Sequence, residues 1–282
     1  METILIYVVA GIGAGLVSGL FGVGGGLTVV PALVLALPIE GVADRFVMHM
    51  AIGTSLAVMI FTAAVTTWWR HLRGDLDWSL FARFAPLVAV GGVIGAGIGD
   101  ALDGRVLRFI FIGFVIFTIM RDLWRLLRRP AKNMAGGASS TGAAATGQAS
   151  DTLAARASFG VHGLAAGIVG ALLGAGAAIV TVPFLMGRGR SIQEASAQSA
   201  GLSALIGLAA GAGYAIAGLD ETGLPPQAIG YLFVPAFLGV AAGALAGSPL
   251  GVKLSHVFSA RMQAGLFVAY LSMVLAVMIS RL

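Results

Sequence analysis

The chain contains no cysteine. Disulfides, thiolate metal sites and thiol nucleophiles are therefore excluded. Charge is scarce as well. Only 10% of residues are charged while 58% are hydrophobic, against about 25% charged residues in ordinary soluble domains. A soluble fold this apolar could not cover its own surface. Catalytic signatures are missing too: there is no HExxH, GxSxG or Walker motif, and His49, His71, His162 and His256 do not stand at metal-ligand spacing from one another. No enzyme activity, metal or cofactor is expected. The opening METILIYVVAG lacks a basic n-region and a small-residue cleavage site, so it is read as part of the mature fold.

What is present is apolar length. A bilayer span takes about 20 apolar residues. Stretches of that length or more run roughly over 3–38, 46–69, 78–99, 105–127, 157–187, 194–218, 226–247 and 260–280. The expected fold class is an all-α polytopic membrane protein. Between the fourth and fifth stretches lies RRPAKNMAGGASSTGAAATGQASDTLAAR, rich in Gly, Ala, Ser and Thr. That composition reads as a flexible linker over 128–156, between transmembrane units at 1–127 and 157–282. The net charge of +5 gathers at span ends. It reads as an orientation signal rather than a nucleic-acid surface.

The two units repeat one pattern. GIGAGLVSGLFGVGGGLTVVPAL (11–33) matches GLAAGIVGALLGAGAAIVTVPFL (163–185) at one constant spacing. Gly11 falls on Gly163, Gly15 on Gly167, Gly22 on Gly174, Gly24 on Gly176 and Pro31 on Pro183. AIGTSL (51–56) then aligns with SAGLSA (199–204), and Pro86 and Pro235 hold similar places in the third stretches. Both openings are too long for one straight span, since 36 residues of helix would reach about 54 Å across a core of about 30 Å. Both carry central glycines that weaken a helix. Each opening is expected to be two helical segments joined by an unwound turn, as a hairpin or a re-entrant pair. If each opening returns to its starting side, most Lys and Arg fall on the side of the linker. That satisfies the positive-inside rule with a cytoplasmic linker, and the halves are then inverted repeats.

Unwound backbone inside a membrane is tolerated only where protein buries it or it lines a cavity. A helix starting after such a break offers free N–H groups and a positive dipole end, which bind anions. The candidate substrate-binding residues are Gly22, Gly24, Gly25, Gly26 and Thr28 in the first opening and Gly174, Gly176 and Thr181 in the second. Thr54, Ser55, Ser199 and Ser203, in the stretches that follow, complete the set; Ser18 adds a further hydroxyl. Gly11, Gly15, Gly19, Gly163 and Gly167 have close-packing spacing instead. His49 is either a proton-coupling group or a residue of the outer interface. Trp68 and Trp69 beside Arg70 read as an interfacial anchor, and full positive charge inside the membrane is expected to be scarce.

On these motifs, GLVSGLFGVGGGLTVVPAL with AIGTSL and the degenerate copy GIVGALLGAGAAIVTVPFL with SAGLSA, the chain resembles the TauE/SafE family of bacterial membrane proteins, the sulfite exporters. The second copy departs from the pattern where Ala177 and Ala178 replace glycines. The resemblance implies secondary transport of sulfite or a small organosulfonate across the bacterial inner membrane, commonly outward and driven by protons. The expected partners are that small anion, protons, the lipid bilayer and a second copy of the chain as a homodimer. An anion channel and a non-transporting scaffold are the alternatives.

Overall fold

A computed structural model describes residues 2–21, 25–128 and 153–280. The linker reading falls almost wholly outside them. The first opening is α1 (Glu2–Phe21) and α2 (Gly26–Ala36); α3 (Asp44–Leu72), α4 (Trp78–Ala101) and α5 (Gly104–Arg128) follow. The second is α6 (Leu153–Leu173) and α7 (Ala178–Met186), followed by α8 (Ile192–Ala217), α9 (Val234–Val257) and α10 (Ala260–Ile279). Five helices among the described residues, α3, α4, α8, α9 and α10, are long and apolar enough to cross a membrane. Among the described residues the chain is an all-helical polytopic membrane protein apart from one short ribbon.

That ribbon corrects one expected span. The stretch beginning at 226 does not enter the membrane directly. Ala228–Ile229 (β1) pairs antiparallel with Leu232–Phe233 (β2), and α9 starts only at Val234. Pro225 and Pro226 deny a helix there, and Gly230 lies so close to the Ala215 carbonyl that a Cβ would collide with it. A second boundary also moves. Leu153–Arg156, assigned to the linker by composition, form the start of α6.

Two glycine seams hold the bundle. Gly11, Gly15 and Gly19 of α1 lie on the backbone of Val240, Ala244 and Ser248, while Gly243, Gly247 and Gly251 of α9 lie on that of Val8, Ile12 and Leu16. The ascending pairs mean that α1 and α9 run parallel. The same arrangement joins the other opening to the other half. Gly163 meets Phe84, Gly167 meets Val88, and Gly91 and Gly95 of α4 meet Leu164 and Ile168. Bare Cα atoms let these backbones touch, the usual basis of helix association in lipid, where hydrophobic driving force is absent. Each opening helix thus packs on the other half of the chain. Between the seams, α3 and α8 cross antiparallel: Gly201 lies by Thr67, Gly207 by Leu56 and Ile60, and Gly53 by Tyr214.

Candidate functional site

Both openings are broken helices. α1 stops at Phe21 and α2 starts at Gly26. Gly25, the residue before α2, is left-handed with φ 79°, a conformation that costs other residues energy. α6 stops at Leu173, Gly174 is left-handed at φ 58°, and α7 begins at Ala178. Gly22 and Gly24 lie outside the described residues.

The first opening is a hairpin of unequal arms. The Tyr7 hydroxyl donates to Glu40 Oε1 at 3.3 Å, so the start of α1 and the end of α2 lie together. A Cβ on Gly25 would stand 3.0 Å from the Ala14 carbonyl oxygen, so α2 begins level with the middle of α1. The second opening closes in the same way, with Arg188 of its far end donating to Ser158 Oγ of its first helix at 3.0 Å. α2 runs toward the end of the bundle that carries the ribbon. α7 runs toward the opposite end, where Arg190 meets Asp77 at 3.2 Å.

The two breaks touch. A Cβ on Gly26 would collide with the Gly174 carbonyl and stand 2.9 Å from Ala175 Cα. Ser55 Oγ spans the junction, donating to Gly174 O at 2.9 Å and facing Gly26 O at 3.3 Å. Ser203, its counterpart in the second half, accepts from the Ala177 N–H at 2.9 Å and donates to Ser199 O at 2.7 Å. Ser55, Ser199, Ser203, Gly174, Gly176, Gly25 and Gly26 are all buried. The first turns of α2 and α7 therefore approach one another in the middle of the bundle, pointing opposite ways. Neither N-cap residue, Gly25 nor Ala177, caps its helix with its own side chain, and the Ala177 N–H is taken by Ser203, whereas α4, α8 and α10 are capped by Asp77, Ser191 and Ser259. First-turn amides have no acceptor within their own helix, so two positive dipole ends converge here.

The remaining candidates divide. The Thr181 hydroxyl, in the first turn of α7, is buried and has no hydrogen-bond partner. Thr28 Oγ1 accepts from the Tyr270 hydroxyl at 2.8 Å, which ties α2 to α10. Thr54 does not face the junction: its hydroxyl accepts from the Phe233 N–H at 2.9 Å and fixes the ribbon to α3. Ser18 lies away from the junction as well, sharing a hydrogen bond of 3.1 Å with Thr66. His49 sits against the ribbon. It is buried, stacks on Tyr231 at 5.0 Å, and its ring nitrogens face Arg45 O at 3.3 Å and Leu102 O at 2.9 Å. Burial, then the nearby Glu221 and Asp100 carboxylates, push the Tyr231 phenol up to about 12, so it keeps its proton at physiological pH. Hollows lined by Pro226, Val234 and Pro235, and by Trp68, His71 and Trp78, lie at the periphery and hold none of the candidate residues.

One functional-looking residue escaped the sequence reading. Arg70 is fully buried, so the expected scarcity of internal positive charge does not hold at this position. Trp68, two residues before it, is exposed. No local pattern distinguishes the two; two of the groups that hold Arg70, Gln193 and Ser255, lie more than a hundred residues away.

A family model described as "Sulfite exporter TauE/SafE" matches residues 7–279. A "Probable membrane transporter protein" of Haemophilus influenzae is 29% identical over 250 residues, covering 89% of this chain and 88% of the relative. Another of that name, from Xylella fastidiosa, is 35% identical over 118 residues, 39% of this chain and 41% of the relative. The "Probable membrane transporter protein YunE" of Bacillus subtilis is 28% identical over 183 residues, 64% and 67% of the two chains. No solved structure matches the chain.

Proposed function

The chain belongs to the sulfite exporter TauE/SafE family, and from that premise we propose that it is a secondary active transporter of a small sulfur-containing anion, sulfite or an organosulfonate. The observation that carries this reading is the meeting of the α2 and α7 N-termini at Gly26 and Gly174. Two helix starts supply first-turn N–H donors and partial positive charge without a fixed cation, and Ser55, Ser203 and Thr181 place hydroxyls beside them. Several acceptor oxygens on one small anion suit such convergent donors.

Alternating access follows from the packing. Gly26 and Gly174 lie in direct contact, so an anion enters between them only when the halves separate. A continuous pore, as a channel requires, is at odds with that contact. The antiparallel crossing of α3 and α8 supports inverted repeats, in which one half rocks against the other. The proposed location is the bacterial inner membrane with the linker in the cytoplasm. His49, with two carbonyl oxygens facing its ring, is the proposed proton-coupling group, because only the doubly protonated imidazole donates to both.

Reconstituted proteoliposomes test the reading. They should move sulfite or a sulfonate in a saturable manner, and Gly25→Leu, which forces a side chain into a left-handed position, should abolish that flux. Undiminished flux in a correctly folded Gly25→Leu protein would remove the broken-helix site.

A further inference from the structure

We propose that Arg70 is a latch: from the end of α3 it ties the last turn of α1, and α9 on which that turn packs, to α3 and α8, and closes the path at the end of the bundle opposite the ribbon. The inference rests on the transporter reading above.

The guanidinium is buried at 0% exposure among groups from α1, α8, α9 and the loop between α3 and α4. Nη2 donates to Gly19 O of α1 at 2.9 Å and to Ser255 Oγ of α9 at 3.4 Å. Nη1 donates to Gln193 O of α8 at 3.3 Å and lies 3.7 Å from Asp75 Oδ2. Asp75 in turn lies 3.2 Å from His256 Nε2. Gly19, Arg70 and Asp75 belong to the first half; Gln193, Ser255 and His256 belong to the second.

The break in the first opening explains why a cation stands there. α1 ends at Phe21, so Gly19 is among the last four residues, whose carbonyls have no donor within the helix. Arg70 supplies that donor, and its charge suits the negative end of the α1 dipole. Burial is nevertheless a costly choice. Arg70 lies in the last turn of α3, where a long basic side chain can reach the surface. It turns inward instead, and its Nε has no partner there. A buried, imperfectly matched charge is weak evidence for stability. It is a suitable reversible contact between two bodies, because both faces remain polar when it parts.

The two ends of the bundle are closed by different means. At the ribbon end, Gly230 packs on Ala215 and Tyr231 stacks on His49. At the other end the joint is the Arg70 cluster. Freeing the packed pair α1 and α9 from Arg70 of α3 and from α8 opens a route toward the junction of the breaks from that end, past Thr66.

The natural absence of cysteine makes single-cysteine reporters clean. Thr66→Cys reports the Arg70 end and Thr54→Cys the ribbon end; both positions are buried at 0% exposure. Each is labelled with a water-soluble maleimide, with Arg70 intact and with Arg70→Met. The latch predicts that Arg70→Met speeds labelling at Thr66→Cys by about tenfold and slows it at Thr54→Cys, since a shift toward one open state depletes the other. Unchanged labelling at Thr66→Cys, or a rise at both reporters together, would overturn it; the joint rise marks general loosening. If Arg70→Met does not fold, Ser255→Ala and Asp75→Asn are read in the same way, with smaller changes of the same sign expected and no change overturning the proposal. Sulfite flux measured on the same proteins separates the two ideas. Absence of flux in the unmodified chain counts against the transport reading, while the labelling pattern still decides the latch.

Discussion

The two helix breaks share one sequence pattern, yet the groups around them differ. In the second, the chain closes on itself: the Ala175 N–H donates to Gly170 O at 3.0 Å, the Gly174 N–H to Ala171 O at 3.4 Å, and Ser203 takes the Ala177 N–H. In the first, a carbonyl near the end of α1 is taken by a guanidinium from the far end of α3. The helix starts differ as well. Gly25 precedes α2 in a left-handed conformation, while Ala177, at the matching position, has φ −65°. A Cβ at 177 keeps the backbone in the right-handed region, so a serine from α8 sets the start of α7 where a glycine alone sets that of α2. The second break is braced locally. Beside the first, among the described residues, Gly19 is held by Arg70, whose further contacts with Gln193 and Ser255 reach the other half.

The harshest way to break this comparison is to fill the contact between the breaks. Gly174→Ala places a Cβ 2.9 Å from Val30 Cγ2 and 3.1 Å from Ile52 Cα, at φ 58°. Overpacking costs about 1–3 kcal/mol and the left-handed backbone about 1–2 kcal/mol more, so a large fall in melting temperature of the purified protein is expected. Gly26→Ala drives its Cβ into the Gly174 carbonyl, a backbone group that cannot swing aside, and should cost at least as much. Next comes Arg70→Met. Removing one partner from a buried polar cluster costs about 3 kcal/mol, and the loss should appear as faster proteolysis near the end of α1. No single substitution near the second break should reproduce that pattern.

The serines sharpen the contrast further. Ser203→Ala leaves the buried Ala177 N–H without its acceptor and should cost about 1–3 kcal/mol. Ser55→Ala removes only a donor from two carbonyls and should cost about 0.5–1.5 kcal/mol. Thermal melts of the two variants side by side check the order; equal losses would mean the breaks are braced alike. The smallest effect on stability belongs to Thr181→Val. The hydroxyl it removes is buried without a partner, so the loss should be near zero or a slight gain.

The breaks were legible because their cause is local. Clustered glycines and a following proline recur at one spacing, and glycine weakens a helix wherever it stands. Close packing by Gly11, Gly15 and Gly19 was legible for the same reason. The ribbon was not, because YLFVPAF is apolar throughout and its strands are two residues each. The roles of Thr54 and Arg70 were hidden for a deeper reason. Each is decided by a partner distant in sequence, Phe233 for one, Gln193 and Ser255 for the other. An arginine beside two tryptophans at a span end has the signature of an interfacial anchor whether it turns out or in. Thr181, matched by spacing to Val29, differed from its counterpart in a way that pointed to a hydroxyl but not to its isolation.

The account stands most directly on whether the junction of the breaks holds an anion. Melting of the purified chain across a sulfite titration measures this, because a ligand of the folded state raises stability with the logarithm of its concentration above Kd. The account predicts a rising melting temperature for the natural chain, and for Thr181→Val the same starting temperature with a weaker rise. Identical curves for the two proteins, or no response to sulfite, thiosulfate, sulfoacetate or taurine, would contradict it.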